Sequence, residues 1–333
     1  MRRRQGALIL CISAVLLFII YKYFDNVNCL RTVALQKETI LFLKNEIKLS
    51  HQLNEHQAEE LALSQQKLYN VTQDDINKKD LPMIYMITPT HSRHTQKADL
   101  TRLCHTLMHV SNLHWIVVED SVEKTPLVTR FLARCSVPST HLNTRTDARL
   151  QLKDSDPVWL KNRGVEQRNV GIDWLRGHHS DSVDGVVYFG DDDNTYDLQL
   201  FQEMRHTSKV SVWPVGICGG LRYEGPLCSN GKVTGWHTAW DLSRPFPLDM
   251  AGFAVSLPLL MARKTARMDP HAKRGYVESS LLQDLVGGVD ELEARADDCS
   301  KVWVWHTRTE KPKMKQEDQL IREGRPSNPD IET

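Results

Sequence analysis

Behind the short apolar run Val186-Val187-Tyr188-Phe189 and one glycine stand three consecutive aspartates, Asp191-Asp192-Asp193, followed by Asn194-Thr195-Tyr196. The apolar residues are β-branched or aromatic, as in a buried strand. Three adjacent carboxylates repel one another and gain nothing from packing, so this strand must end at an opening rather than in a core. Their hard oxygens suit Mg²⁺, Ca²⁺ or Mn²⁺. In an α/β sheet the carboxyl ends of strands open onto the ligand crevice. The run therefore predicts a metal-bridged phosphate site on an α/β fold, with a solvated acidic turn as the plainer alternative.

The chain after Pro82 agrees with that fold. Apolar periodicity predicts strands over 83–88, 115–118, 186–189 and 210–215, with helices over 97–110, 127–135 and 165–175 between them. Such alternation implies a mostly parallel sheet with flanking helices. Beyond Gly219 the texture changes. Residues 219–223 and 233–240 bracket Asn230-Gly231 and read as a hairpin. A helix over 278–286 and a strand over 302–305 follow, and the charged tail after Arg308 is expected to be extended.

At 333 residues the chain has room for one large domain or two modest ones, plus accessory segments. Basic and acidic residues balance at 42 each, which gives no surface for nucleic acid or another polyanion. Arg2-Arg3-Arg4 precede an apolar run from Gly6 to Tyr21, which Tyr23-Phe24 prolong to Asp25. This reads as a membrane anchor over 7–24 with a cytoplasmic tail, 1–6, and the remainder across the membrane. The short span suits a thin internal membrane. A cleaved signal peptide is the competing reading, but no small-x-small cleavage site is evident.

From 25 to 80 the chain is polar and lacks proline and glycine. Val33, Ile40, Leu43, Ile47, Leu61 and Leu68 fit an a/d register interrupted by polar residues, which predicts a helical stem. Of the seven cysteines, none forms a C-x-x-C pair or a zinc-like spacing. Cys29, just outside the anchor, is placed to cross-link two parallel chains in an oxidising lumen, although a free or palmitoylated thiol fits equally. Asn70-Val71-Thr72 is a glycosylation sequon.

No G-x-G-x-x-G and no Walker lysine loop follows any strand. An EF-hand is excluded because Tyr196 occupies its glycine position. Two arrangements of the aspartates remain. One is an aspartyl-phosphate phosphatase loop with Asp191 as nucleophile; the other is the Asp-x-Asp element of a nucleotide-sugar glycosyltransferase. Arg163 and Arg168 open a helix, where they can grip a diphosphate or a sugar carboxylate bidentately, or simply face solvent. Glu278 starts another helix, whose macrodipole favours its ionised form, though a first-turn glutamate is often only a helix-start preference. His306 and Arg308 leave a strand together, which suits phosphate contact or a basic surface loop.

Six segments occur in order: Arg-Gly-Val-Glu-Gln-Arg-Asn at 163, Asp-Asp-Asp-Asn-Thr-Tyr at 191, Ser-Val-Trp-Pro-Val at 211, Asp-Met-Ala-Gly-Phe-Ala-Val at 249, Glu-Ser-Ser-Leu-Leu at 278 and Trp-His-Thr-Arg-Thr-Glu-Lys-Pro at 305. Together they resemble the β-1,3-glucuronyltransferase family over about 81–333. The tail after Lys311 is similar to the branch that completes the proteoglycan linkage tetrasaccharide, and less like relatives that make the HNK-1 epitope on Galβ1-4GlcNAc.

The resemblance implies a type II Golgi membrane enzyme with a GT-A fold. Its catalytic domain, 81–333, divides into a UDP-sugar-binding half (81–196) and an acceptor-binding half (197–333). Glucuronate passes from UDP-glucuronate to the 3-hydroxyl of the terminal galactose of Gal-Gal-Xyl, with inversion and with Mn²⁺. By motif, Asp193 is the metal ligand, and Asp191 and Asp192 contact donor sugar and ribose. Pro89, Thr90, His91 and Asp120 hold uridine. Arg163, Arg168, His306, Thr307 and Arg308 grip glucuronate and diphosphate. Glu278 is the general base. Glu224, Trp240, Arg244 and Asp249 line the acceptor site, and Gln316 reaches acceptor bound to the other subunit of a homodimer.

Three departures from the family pattern stand out: His91 in place of tyrosine, Gly190 in place of alanine, and Asp298-Cys299-Ser300 without the family's sequon asparagine. A non-catalytic luminal sugar-binding protein is the remaining class, opposed by the intact Glu278 and Asp193.

Overall fold

The computed structural model describes residues 15–22, 37–38, 41–50, 53, 81–152, 156, 160–180, 183–328 and 331–332. The chain divides into two compact units, Met1–Ile76 and Asn77–Thr333. In the first, 15–22 and 41–50 are helical and exposed, with Leu43 and Ile47 open to solvent. Among the described residues no helix is long and apolar enough to cross a membrane. The rest of the expected anchor, most of the stem register, Cys29 and Asn70 lie outside the described residues.

The second unit holds the sheet. Strands β1 (Met83–Thr90), β2 (Leu113–Glu119), β3 (Ser139–Asn143) and β4 (Gly185–Phe189) pair in parallel. Beside β4 lies β10 (Phe253–Ser256), antiparallel both to β4 and to β6 (Val210–Val212). Strand β11 (Leu292–Ala294) closes the edge beside β6 and parallel to it. The seven-stranded order is β11-β6-β10-β4-β1-β2-β3. The expected mostly parallel sheet is therefore mixed through one reversed strand, β10.

Burial on both faces follows from the two-residue period of a strand. In β4, Val186 and Tyr188 enter one core and Val187 and Phe189 the other. Helices α1 (Gln96–Leu107) and α2 (Pro126–Arg134) cover the first face through Leu100, Leu103, Leu107 and Phe131. Helix α3 (Val165–His178) covers the second through Ile172 and Leu175. Gly171 lets α3 approach closely, since a Cβ there would stand 2.6 Å from the Ile87 side chain. Cys104 on α1 and Cys135 after α2 are joined by a disulfide across 31 residues. Fully buried Arg205, which follows α4 (Leu198–Met204), donates to the carbonyls of Pro82 and Ser111.

The expected single strand over 210–215 is two strands. Pro214, which has no N–H to offer a ladder, separates β6 from β7 (Val215–Gly216), and there the chain crosses to a second sheet. That sheet has the order β5-β12-β7-β8-β9, with β5 (Thr195–Tyr196), β8 (Tyr223–Ser229), β9 (Lys232–His237) and β12 (Val304–Trp305). The hairpin turns at Asn230-Gly231 as expected, but its first arm begins at Tyr223. Ile217, Gly219 and Gly220 instead have φ of 55°, 61° and 77° and form a tight loop.

Helices α5 (Leu257–Ala262) and α6 (Val277–Leu285) complete the core. The short segment α7 (Ala296–Cys299) runs through left-handed φ values and is tied to β8 by the Cys228–Cys299 disulfide. The tail is not extended throughout: α8 spans Lys315–Arg322. Acidic Glu317 and Asp318 in its first turn and Arg322 in its last complement the macrodipole, and the Gln319–Glu323 hydrogen bond of 2.8 Å adds a helical pair.

Candidate active site

Because β1 to β4 run parallel, their carboxyl ends share one edge, and Thr90, Asp120 and the three aspartates all emerge there. Asp192 is buried; it accepts from the Thr90 hydroxyl at 2.7 Å and pairs with Arg93 at 2.7 Å. Burial pushes its carboxyl up to about 6, against the Arg93 charge. Asp191 pairs with the buried guanidinium of Arg168. That guanidinium also donates to the Arg163 carbonyl at 2.9 Å. The arrangement needs Gly164, whose φ is +70° and where a Cβ would lie 2.7 Å from Arg168 Nη1.

Asp193 is held differently. Among the described residues no ion pair or hydrogen bond reaches its carboxylate; its carbonyl alone accepts, from Thr307 at 2.7 Å. Burial and the neighbouring Asp191 push its carboxyl above the usual range. A divalent cation fits such an uncompensated carboxylate. Asp120 accepts from the Thr146 N–H at 2.8 Å and from its hydroxyl at 2.7 Å. His91 is exposed, and partial desolvation by the protein around it, together with the charges of Arg93 and Arg163, holds its imidazole below the usual range. At Gly190 the space for an alanine Cβ is taken by the Met86 methyl.

Beside this edge opens a cavity of about 850 Å³, lined by Glu224, Trp240, Arg244, Asp249, Glu278 and His306-Thr307-Arg308. Glu224 and Arg244, both nearly buried, pair at 3.1 Å. Trp240 at the mouth is 42 % exposed, with the Arg274 guanidinium 4.3 Å over its ring. Glu278 stands in the first turn of α6. Burial pushes its carboxyl up to about 7; Asp249 adds to the rise, and Arg168 and Arg244 oppose it.

Asp249 accepts from the Ala251 N–H at 2.9 Å, from His306 Nδ1 at 2.9 Å and from the Cys218 thiol at 3.2 Å. Burial disfavours its charge, but these donors, His306 first among them, hold its carboxyl below the usual range. The same hydrogen bond raises the His306 imidazole.

Thr307 joins the two regions. Its hydroxyl reaches the Asp193 carbonyl and meets Thr195 at 3.0 Å, where β12 pairs with β5. Two residues on, the Thr309 hydroxyl donates to buried Asp99 at 2.6 Å, and Asp99 pairs with Arg93 at 2.7 Å. Arg93 thus returns the path to Asp192.

Residues 103–310 match Glycosyltransferase family 43. The chain belongs to that family. A mouse (Mus musculus) relative, Galactosylgalactosylxylosylprotein 3-beta-glucuronosyltransferase 3, is 55% identical over 262 residues, covering 76% of this chain and 78% of its own length. The Caenorhabditis elegans relative, Galactosylgalactosylxylosylprotein 3-beta-glucuronosyltransferase sqv-8, is 50% identical over 240 residues, covering 72% and 67%. Among solved structures, S. aureus TarS 1-349 in complex with UDP-GlcNAc matches with a TM-score of 0.46 and 14% identity, covering 72% of this chain and 64% of TarS.

In this family 43 chain the expected site residues fall into two adjoining groups. Thr90, His91, Asp120, Arg163, Arg168 and the aspartates gather at the sheet edge, while Glu224, Trp240, Arg244, Asp249, Glu278 and residues 306–308 line the cavity. Thr90 is almost fully buried, so its hydroxyl serves Asp192. Pro89 backs Gly164, its ring 3.0 Å from where a Cβ there would stand. Gln316 is exposed on α8 and not among the cavity's lining residues.

Sequence reasoning missed Arg93, Asp99, Arg274 and Cys218. The signal for Arg93 was available, since it lies just past the carboxyl end of β1. It also missed both disulfides, Cys104–Cys135 and Cys228–Cys299, because spacing along the chain does not reveal which cysteines meet.

Proposed function

We propose that this chain transfers glucuronate from UDP-glucuronate to the 3-hydroxyl of the terminal galactose in Gal-Gal-Xyl of proteoglycan linkage regions, inverting the anomeric centre. The observation that carries the reading is the cavity itself. It unites a carboxylate poised near neutrality, Glu278, with the Glu224–Arg244 pair, Trp240 and Asp249 on one side and the cationic exit of β12 on the other.

A galactose hydroxyl is a weak nucleophile. As its oxygen bonds to the anomeric carbon, Glu278 takes its proton, while the bond from that carbon to the UDP oxygen breaks and its electrons leave with UDP. General-base help of this kind is worth about 10²–10⁴-fold. A raised carboxyl is a better base than an ordinary one, and it works at neutral pH. Trp240 offers an apolar face for the sugar ring, and Glu224, Arg244 and Asp249 offer hydrogen bonds to its hydroxyls. Arg163, Arg168, His306 and Arg308 oppose the charge on glucuronate and the departing diphosphate, already positioned before reaction. Mn²⁺ held by Asp193 would supply further positive charge to that diphosphate. Single displacement needs one base carboxylate, opposite the leaving group.

The phosphatase alternative loses ground here, because Arg168 already holds Asp191 and no described lysine pairs with the aspartates. We further propose the GT-A fold, an anchor over 7–24 that places the enzyme in the Golgi membrane with its catalytic domain luminal, and a homodimer cross-linked through Cys29. Competition between Galβ1-3Gal and Galβ1-4GlcNAc, with UDP-glucuronate and Mn²⁺, tests the acceptor assignment. Preferred transfer to Galβ1-3Gal is expected; preference for Galβ1-4GlcNAc would replace the linker acceptor by the HNK-1 type.

A further inference from the structure

Cys218, Asp249 and His306 converge from three separate segments. A thiol sulfur, a carboxylate oxygen and an imidazole nitrogen lie within 4.8 Å of one another. Cys218 is the free cysteine among the described residues and is buried, and its hydrogen is directed at Asp249. Neither the transfer chemistry nor sugar recognition needs a thiol at this place.

We propose that these three side chains form a second metal site, for a thiophilic divalent cation such as Zn²⁺, distinct from the aspartate edge. The ligand types are those of a three-ligand zinc site. Bonds of about 2.0–2.3 Å at tetrahedral angles put ligand atoms somewhat under 4 Å apart, so small side-chain rotations close the set. Asp249 and His306 line the cavity, so the fourth position faces it.

Softness separates the two sites. A thiolate and an imidazole select Zn²⁺ over Mn²⁺, whereas the Asp193 oxygens suit the harder ion. Binding converts the thiol to thiolate and releases its proton to solvent, so affinity rises with pH. Occupancy also withdraws Asp249 and His306 from acceptor and diphosphate. That consequence rests on the proposed function, but the binding does not.

Titrating the full chain with Co²⁺ in the absence of Mn²⁺ reads the site directly. The wild type should show a thiolate-to-cobalt charge-transfer band that one equivalent of Zn²⁺ removes. Cys218→Ser keeps a donor to Asp249, so it preserves the local hydrogen bond while losing the soft ligand; the band should vanish, and His306→Ala should weaken it. Partners that only orient ligands are worth about 10–100-fold in metal affinity, so Zn²⁺ inhibition of transfer should weaken by at least tenfold in Cys218→Ser. No band in the wild type, or the same band in Cys218→Ser, overturns the site. Where the band is present, equal Zn²⁺ inhibition of both proteins places the inhibitory ion at the aspartates and overturns the consequence for transfer, while the site itself stands on the band. A Cys218-dependent band with transfer untouched by Zn²⁺ supports the site and instead contradicts the roles given to Asp249 and His306.

Discussion

The Thr307 hydroxyl donates to the Asp193 carbonyl at 2.7 Å, across 114 residues of sequence. Through this bond the strand exit that walls the cavity also fixes the turn carrying the carboxylate available to a cation. Thr307→Val should cost about 1 kcal/mol of positioning, or roughly a fivefold fall in kcat/KM. Steady-state kinetics against Mn²⁺ concentration check it, with the larger change expected at limiting Mn²⁺.

Arg93 compensates two buried carboxylates, Asp99 and Asp192. Its removal leaves both without their shared cation. Arg93→Met should lower stability by about 3 kcal/mol. Chemical denaturation of wild type and variant reads this; a change below 1 kcal/mol would show that the network contributes little.

The Glu278 carboxyl sits near 7 in the folded chain, above an ordinary value of 4.5. Between these values the folded chain binds more protons than the unfolded one, so this group's contribution to stability declines as pH rises through that window. Above pH 7, Glu278→Gln should stabilise by on the order of 1–2 kcal/mol, less than the full shift because the side chain borders the open cavity. Activity runs the other way: kcat should fall as pH drops below about 7, where the base becomes protonated. Melting curves and pH–rate profiles test the two limbs separately.

The Cys104–Cys135 bridge closes 31 residues between α1 and the end of α2. Replacing both cysteines by serine should cost about 3–4 kcal/mol, chiefly by freeing the unfolded chain. Reducing and non-reducing melts of the wild type provide the control.

Much of this was legible in the chain itself. The strands β1, β2 and β4 and the helices α1 to α3 follow from strong apolar periodicity, which local sequence records directly. Strand β10 did not show: it is four residues long and buried on both faces, so Phe253–Ser256 carries no alternation. The break at Pro214 was visible as a proline, but its consequence, a crossing between sheets, is tertiary. Asp193 and Glu278 stood out because carboxylates at a strand end and a helix start are chemically conspicuous. Arg93 and Cys218 look ordinary along the chain, and only folding sets them against Asp192 and Asp249.

Asp193→Ala should weaken Mn²⁺-dependent UDP binding and leave metal-independent binding unchanged. Calorimetric titration with and without Mn²⁺ separates the two; a normal Mn²⁺ response in the variant would remove Asp193 from the metal site.

The most direct test of the account is turnover by Glu278→Gln with UDP-glucuronate, Mn²⁺ and Galβ1-3Gal, measured beside UDP affinity. The wild type should form the β1-3 glucuronide. The variant should lose about 10²–10⁴-fold in kcat while holding UDP as tightly as before. Near-normal turnover in Glu278→Gln, or no glucuronide from the wild type, would contradict it.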